Sequence, residues 1–207
     1  MLVTLGIIGV VSAMTVPTLM QNYQRKSYVT QLHKVYNELS QAIIQYQTDR
    51  NAVNLKEAGL TSIESVENFI RQYFKVVKEC ETLDGCFADE YKRIDGQSAF
   101  FDDAKSFVLA SGASIRTSYT PGGNNGNLNV YFAIDVNGMR GPNILGRDCF
   151  FVFIYNNGVI DDNTEDVNIS APLSKEERET RFEEECFVNG TAGCFGKILN
   201  DNWEMTY

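Results

Sequence analysis

The residues of this chain best suited to chemistry are its five cysteines. Two pairs are close in sequence, and proximity favours bridges from Cys80 to Cys86 and from Cys186 to Cys194, with Cys149 left inside a predicted strand. Five cysteines allow about 15 arrangements of two bridges, so spacing alone does not fix the pairing. Each short loop would add roughly 2.5 kcal/mol of stability, and such bridges indicate an oxidising compartment. Reduced cysteines in a cytoplasmic protein are the alternative.

Metal chemistry has weaker support in the sequence. Acidic and amide residues alternate over 161–165, as ligands do in calcium loops, and a second acidic group brackets residues 135–148. Neither stretch has a complete loop signature, so solvated turns are favoured. No cysteine pair has the ligand spacing of a zinc site, and the single histidine, His33, is remote in sequence. We predict no bound metal and no cofactor.

Catalytic chemistry is not indicated either. His33 lies on a long predicted helix beside Tyr36 and Ser40, where a packing role is favoured over a catalytic one. Adjacent carboxylates such as Asp161 and Asp162 point to opposite sides of an extended chain and do not readily share a substrate. The sequence contains no nucleophile elbow and no metalloprotease helix. We therefore expect no catalytic residues and a protein that is not an enzyme.

Composition sets the class of molecule. The chain has 207 residues, is 43% hydrophobic and 22% charged, and is therefore expected to be globular. The formal net charge of −9, without a basic patch, argues against binding to nucleic acid. The glycine-rich stretch 120–127 lacks the lysine of a phosphate-binding loop, which favours a plain turn.

The element that would position the rest is the N-terminal stretch. Residues 1–20 contain no charge, and the first charged residues are Arg25 and Lys26. Twenty apolar residues in a helix reach about 30 Å, the thickness of the hydrocarbon core of a bilayer. The stretch therefore predicts a membrane span. A secretory signal peptide, a buried core helix and a plain single-span anchor are the alternatives, and the plain anchor is the strongest of them.

The helix is expected to continue to about Thr48 with a different character. Apolar residues recur at steps of three and four while polar residues fill the opposite face, which predicts a helix packed on one side. The predicted helix–sheet packing residues are Val29, Leu32, Val35, Tyr36, Leu39, Ile43 and Tyr46.

The remaining chain reads as a mixture of short helices and antiparallel strands. A helix capped by Thr61 with Glu64 is expected to run towards Cys80, with its buried face from Ile63 to Val77. An irregular segment, 87–101, follows it. Residues 106–118 predict a hairpin, and 129–136 and 148–155 are the clearest strands.

The C-terminal part predicts less regular structure. A short exposed helix is expected over 174–186, with Ser174 as its cap. The tail CFGKILNDNWEMTY predicts a further short helix and a last strand around Trp203.

The N-terminal string LVTLGIIGVVSAMTVPTLMQNYQRKSYVTQLHKVYNELSQAI closely resembles the first helix of type IV pilin-like proteins, especially the pseudopilins of type II secretion. The resemblance covers about the first 45 residues and is specific there. The connection DVNGMRGPNILGRD and the tail are also similar to such proteins, less specifically. The residues that the resemblance assigns to a membrane or filament-core surface are Leu2, Leu5, Gly6, Ile7, Ile8, Gly9, Val10, Val11 and Pro17.

The resemblance implies an α+β fold, in which a long N-terminal helix packs on an antiparallel β-sheet domain. Residues 1–22 would be the membrane and filament-core part, and 23–207 the periplasmic or extracellular domain. Family members begin with a basic leader and a Phe-Thr-Leu-x-Glu-like start, and Met1 falls just after that Glu. We expect that this sequence is shortened there. A form that starts at Met1 is then expected to sit in membranes but enter filaments poorly.

The function implied is that of a structural subunit, a pilin or pseudopilin, held in the bacterial inner membrane before it joins a filament. Its expected partners are copies of itself or other pilin-like subunits, the inner membrane and the assembly machinery, with no nucleic acid. The alternative is a membrane-anchored periplasmic binding module, or a minor tip subunit, that contacts a ligand through its loops.

Overall fold

The computed structural model describes residues 2–99, 102–120, 127–164, 166 and 168–207, and within these the side chains of 2–14, 18 and 129 are outside the description. The longest element is helix α1, Leu2–Asp49. At 1.5 Å per residue its 48 residues extend about 70 Å. Pro17 lies inside the helix.

A six-stranded antiparallel sheet forms the second layer. Its order along the sheet is β1-β4-β5-β6-β7-β8, with strands β1 Val76–Cys80, β4 Ser106–Leu109, β5 Ser114–Tyr119, β6 Leu128–Asp135, β7 Cys149–Tyr155 and β8 Ile160–Asp161. A separate small hairpin consists of β2 Tyr91–Lys92 and β3 Ser98–Ala99. The predicted α+β class, a long N-terminal helix with an antiparallel sheet, is confirmed.

The inner face of the sheet shares one apolar core with helix α1 and with helix α2, Ile63–Tyr73. Side chains alternate between the two faces of a strand, and the inward residues of β6 and β7 are large and apolar. They are Val130, Phe132, Ile134, Phe150, Val152 and Ile154, each at most 1% exposed. A one-sided helix and a sheet with this pattern bury each other's apolar surface, which is why the two layers associate.

The outer face of the sheet is covered by chain that is mostly not helical. Its buried cluster includes Cys80, Cys86, Phe87, Tyr91, Leu145, Cys149, Phe151, Phe153 and Tyr155. Ser106 and Ser114 fasten this cover, because their hydroxyls donate to the carbonyls of Thr82 and Cys86 at 2.6 and 2.5 Å. The cover thus obtains hydrogen bonds from side chains of the sheet.

Three short helical pieces complete the C-terminal part. Helix α3, Lys175–Arg181, starts at the N-cap Ser174, whose hydroxyl accepts a bond from the Glu177 amide, and it continues into a π-helical turn, Phe182–Cys186. Helix α4, Cys194–Asn200, follows. The predicted exposure of the first piece is wrong in part, because Arg181 and Cys186 are buried.

The predicted boundaries of α2 are corrected at both ends. Ser62 and not Thr61 is the N-cap, because the Ser62 hydroxyl accepts from the Ser65 amide and the Ser65 hydroxyl completes the capping box. The helix ends at Tyr73 rather than near Cys80, and the next residues form β1 against β4. β-branched Val76 and Val77 favour an extended chain, which explains why the helix stops. Val77 is consequently exposed rather than part of a buried helix face.

Two further predictions about irregular parts are wrong. Residues 87–101 contain the β2–β3 hairpin. No strand forms around Trp203, because its φ of 63° is left-handed and its amide bonds to the Ile198 carbonyl at 2.9 Å. Of the glycine-rich stretch 120–127, residues 121–126 lie outside the described part of the chain.

Candidate functional site

Helix α1 has two surfaces of different character. From Val29 onward its stripe is buried: Val29, Leu32, Val35, Leu39, Ile43 and Tyr46 are each at most 4% exposed, and Tyr36 is intermediate. Nearer the N-terminus, large apolar residues are open to solvent: Val16, Leu19, Met20 and Tyr23 are 53%, 67%, 58% and 74% exposed. A contiguous apolar surface of this kind is typical of an interaction site.

The remaining residues assigned to the membrane or filament-core surface are placed only by their backbone. Leu2, Leu5, Gly6, Ile7, Ile8, Gly9, Val10 and Val11 belong to α1, and their side chains lie outside the described part. Pro17 is exposed. Among the helices of the described part, none has the length and apolar character needed to cross a membrane.

The C-terminal tail is fixed to α1 by aromatic stacking. The rings of His33 and Trp203 are 4.0 Å apart at an angle of 12°, and the Tyr36 ring meets Trp203 edge-on at 4.9 Å. The left-handed backbone at Trp203 is uncommon for a bulky residue and is retained because this stacking holds it. His33 therefore has a packing role.

A cleft of about 500 Å³ lies between α1 and the C-terminal tail, next to the stacked rings of His33 and Trp203. Arg25 and Lys26 line it together with His33 and Trp203, and Glu204 is the acidic residue of the lining. The exposed apolar residues of α1 lie before this basic stretch in sequence. The helix therefore carries an apolar surface and then a basic one before it enters the core.

Two disulfides are present. Cys80 and Cys86 are joined with Cα atoms 6.2 Å apart, and Cys186 and Cys194 with Cα atoms 4.9 Å apart. These are the two pairs that proximity favours. Cys149 is unpaired and buried in β7, and burial raises the pKa of its thiol well above the ordinary value.

The two adjacent carboxylates at the end of β8 have separate partners. Asp161 accepts two bonds of 2.7 Å from the Arg178 guanidinium and one from the Leu173 amide. Asp162 accepts from the amides of Gly193 and Gly196 at 2.8 and 2.6 Å. Burial raises the pKa of Asp162 to about 6, although these amide bonds oppose the shift. Both carboxylates thus hold the C-terminal part to the sheet.

Gly193 makes this arrangement possible. Its φ is 81°, and a Cβ at this position would collide with the backbone carbonyl of Arg181. A residue without a side chain is therefore required for the Gly193 amide to reach Asp162.

The second acidic group lies on the outer face. The Tyr91 hydroxyl donates to Asp135 at 2.5 Å, and Asp148 accepts from the amides of Asn143 and Ile144 at 2.8 and 2.7 Å. Burial raises the pKa of Asp135 to about 8, and Asp148 adds to the shift. Within the described residues, no three His, Cys, Asp or Glu side chains are grouped so as to hold a metal ion.

Comparison with protein-family models, with curated proteins and with solved structures finds no match to this chain.

The positions of two buried or packed side chains, Trp203 and Arg116, could not be predicted from the sequence. The tail aromatic Trp203 has no periodic neighbours that would place it on His33. Arg116 lies in a strand predicted only as half of a hairpin, yet it is 3% exposed. The one available signal was its position between Ile115 and Thr117, in a run that the fold buries from Ser114 to Thr117.

Proposed function

We propose that this protein is a structural subunit of a filament, of the pilin or pseudopilin type, held in the bacterial inner membrane before assembly. Residues 1–22 would form the membrane and filament-core part, and 23–207 the periplasmic or extracellular domain. The proposal rests on the N-terminal sequence resemblance and on one structural observation. That observation is a single helix whose later half is packed on a sheet domain and whose earlier described part exposes large apolar residues.

The exposure of apolar side chains on α1 costs free energy. Leu19 and Met20 are 67% and 58% exposed, and burying the remaining exposed surface would gain roughly 1–2 kcal/mol for each. Neighbouring helices in a filament, or lipid before assembly, would supply this burial. Contact between non-equivalent surfaces of identical subunits produces an open helical assembly when the rotation between neighbours does not close a ring. The partners proposed are accordingly copies of this chain or similar subunits, the membrane and the assembly machinery.

The test is a double substitution on the exposed surface, Leu19→Gln with Met20→Gln, in cells that normally make the protein. Glutamine favours helix and both positions are exposed, so the domain should keep its stability. We expect recovery of the subunit in sheared filaments to fall at least about tenfold, while membrane extraction is unchanged. Electron microscopy and immunoblotting of the filament fraction measure the effect.

The matched control is Val53→Gln, which alters an 82% exposed apolar residue outside the helix. This variant should assemble normally. Normal filament content in the double variant would contradict the proposal and favour the anchored binding module.

A further inference from the structure

A cavity of about 430 Å³ opens on the outer face of the sheet. Outward residues of three adjacent strands line it: Arg116 on β5, Tyr131 on β6, and Phe151 and Phe153 on β7. The rest of the lining comes from Asp102, Asn163 and the segment 181–192. Its volume lies in the range of protein pockets that hold small molecules.

Arg116 is the unusual member of this lining. It is 3% exposed, and its Nε donates to the backbone carbonyl of Asp102 at 2.6 Å. Its Nη1 is buried and has no hydrogen-bond partner in the described part of the chain. Among the described residues, no carboxylate forms an ion pair with it. A guanidinium remains charged at all ordinary pH values, and a buried charge without a partner is costly.

The second arginine of the cavity, Arg181, differs from Arg116 because it has carboxylate partners. Arg181 is also buried, but it forms ion pairs with Glu184 at 3.5 Å and with Glu185 at 3.6 Å. Its charge is therefore balanced within the protein. An anion entering the cavity would find its main counter-charge at Arg116, and the acidic residues Asp102 and Glu185 in the lining would disfavour a second negative charge.

The aromatic residues of the lining give the cavity an apolar surface beside Arg116. The Tyr131 ring lies 6.0 Å from that of Phe151 and 5.8 Å from that of Phe153, with tilts near 35°. The Arg116 guanidinium lies 5.8 Å from the Tyr131 ring centre, which compensates its charge only in part. A flat apolar group packs well against such a surface.

We propose that this cavity binds a small aromatic monocarboxylate, with the carboxylate at Arg116 and the ring on Tyr131, Phe151 and Phe153. Arginine is well suited to a carboxylate, because its planar N–H donors match the carboxylate oxygens. The site lies on the sheet, not on α1, and it does not depend on the assembly role proposed above.

The test uses the full chain in a non-ionic detergent, with protein-free micelles as the blank. Phenylacetate, its neutral analogue phenylacetamide, and inorganic phosphate are titrated by calorimetry and by saturation-transfer NMR. Phenylacetate should bind and phenylacetamide should bind at least about tenfold more weakly, because only the acid supplies a charged acceptor. Arg116→Met should weaken phenylacetate binding by about tenfold or more, whereas Arg140→Met, which removes an exposed arginine, should leave it unchanged.

Stability measurements on the variants distinguish loss of binding from loss of folding. Arg116→Met replaces a buried and only partly compensated charge with an apolar chain of similar length, so the urea midpoint of this variant should equal or exceed that of the parent. Tyr131→Leu keeps the charge but removes a ring, and it should weaken phenylacetate binding while circular dichroism stays unchanged. Equal binding of acid and amide, equal loss in both arginine variants, or no binding at all would overturn the proposal. Binding of phosphate without phenylacetate would show an adventitious ion only and would also overturn it.

Discussion

The two faces of the sheet are covered in different ways. Helix α1 covers the inner face and satisfies its own backbone hydrogen bonds, so its side chains are free to be apolar. The outer face is covered by irregular chain whose backbone groups need other partners. Asp148 and Ser114 supply some of these bonds, and the Cys80–Cys86 disulfide closes a loop of the cover.

This difference explains where polar and reactive groups accumulate. An irregular cover needs side-chain partners for its backbone groups and therefore places carboxylates and hydroxyls in buried positions, whereas a helical cover does not require them. Asp135, Cys149 and Arg116 all lie on the outer face. Stability on the inner face should therefore depend on packing, and on the outer face on covalent and polar links.

The largest expected effect is on the inner face. Leu39 is 0% exposed in the α1 stripe, and Leu39→Ala should lower the free energy of unfolding by about 2–5 kcal/mol through lost burial and a cavity. Urea denaturation followed by circular dichroism measures this. The matched control is Ile44→Ala, at a 64% exposed site of the same helix, which should change stability by less than about 0.5 kcal/mol. Equal losses in the two variants would show that α1 does not depend on its inner stripe.

The second effect concerns the outer face. Replacing Cys80 and Cys86 together by alanine opens a loop of sequence separation 6, and the loss should be about 2.5 kcal/mol on the chain-entropy model. Hydrogen exchange should rise first in residues 82–92, while the amides of 29–46 keep their protection. The matched control is alanine at Cys186 and Cys194, which should leave exchange in residues 82–92 unchanged. Faster exchange in α1 at the same time would mean that the two faces open together.

The third expected effect is a change in the pH dependence of stability. Burial raises the pKa of Asp135 to about 8, so between about pH 4 and 8 the folded state holds a proton that the unfolded state releases. The contribution of Asp135 to stability therefore falls as pH rises through this window. The groups around it are Tyr91, Asp148 and Cys149, and the pKa of each is raised, with burial as the largest cause.

Asp135→Asn should flatten part of this decline, since the amide carries no proton to release. Urea midpoints at pH 5, 7 and 9 measure the slope, and Asp148 and Asp162, whose pKa values are also raised by burial, would contribute to the remaining decline. Asp89→Asn, at an exposed position of the same cover, should leave the slope unchanged. An identical slope in the parent and in Asp135→Asn would assign the decline to other groups.

The inner face could be predicted from the sequence because its burial is periodic. The stripe from Val29 to Tyr46 repeats with the period of a helix, and strands β6 and β7 carry the apolar residues of a core. The segment 76–80 was misassigned to a helix, because one exposed side of an edge strand resembles the polar side of a helix. Periodicity carries this information only where the covering element is regular.

The outer face could be predicted far less well. Its contacts join residues distant in sequence, such as Tyr91 with Asp135, and they follow no local period. The cysteine pairs were exceptions because they are close in sequence. Arg116 was missed because arginine is ordinarily exposed, so a lone arginine in a strand indicates a solvent-facing position.

The buried thiol of Cys149 is a natural probe for opening of the outer cover. Four of the five cysteines are bridged, and the remaining sulfur belongs to a residue that is 0% exposed on β7, opposite Asp135 on β6. A thiol reagent can modify it only after the outer cover lifts. Its labelling rate in native buffer therefore measures how often that cover opens, without any engineered probe.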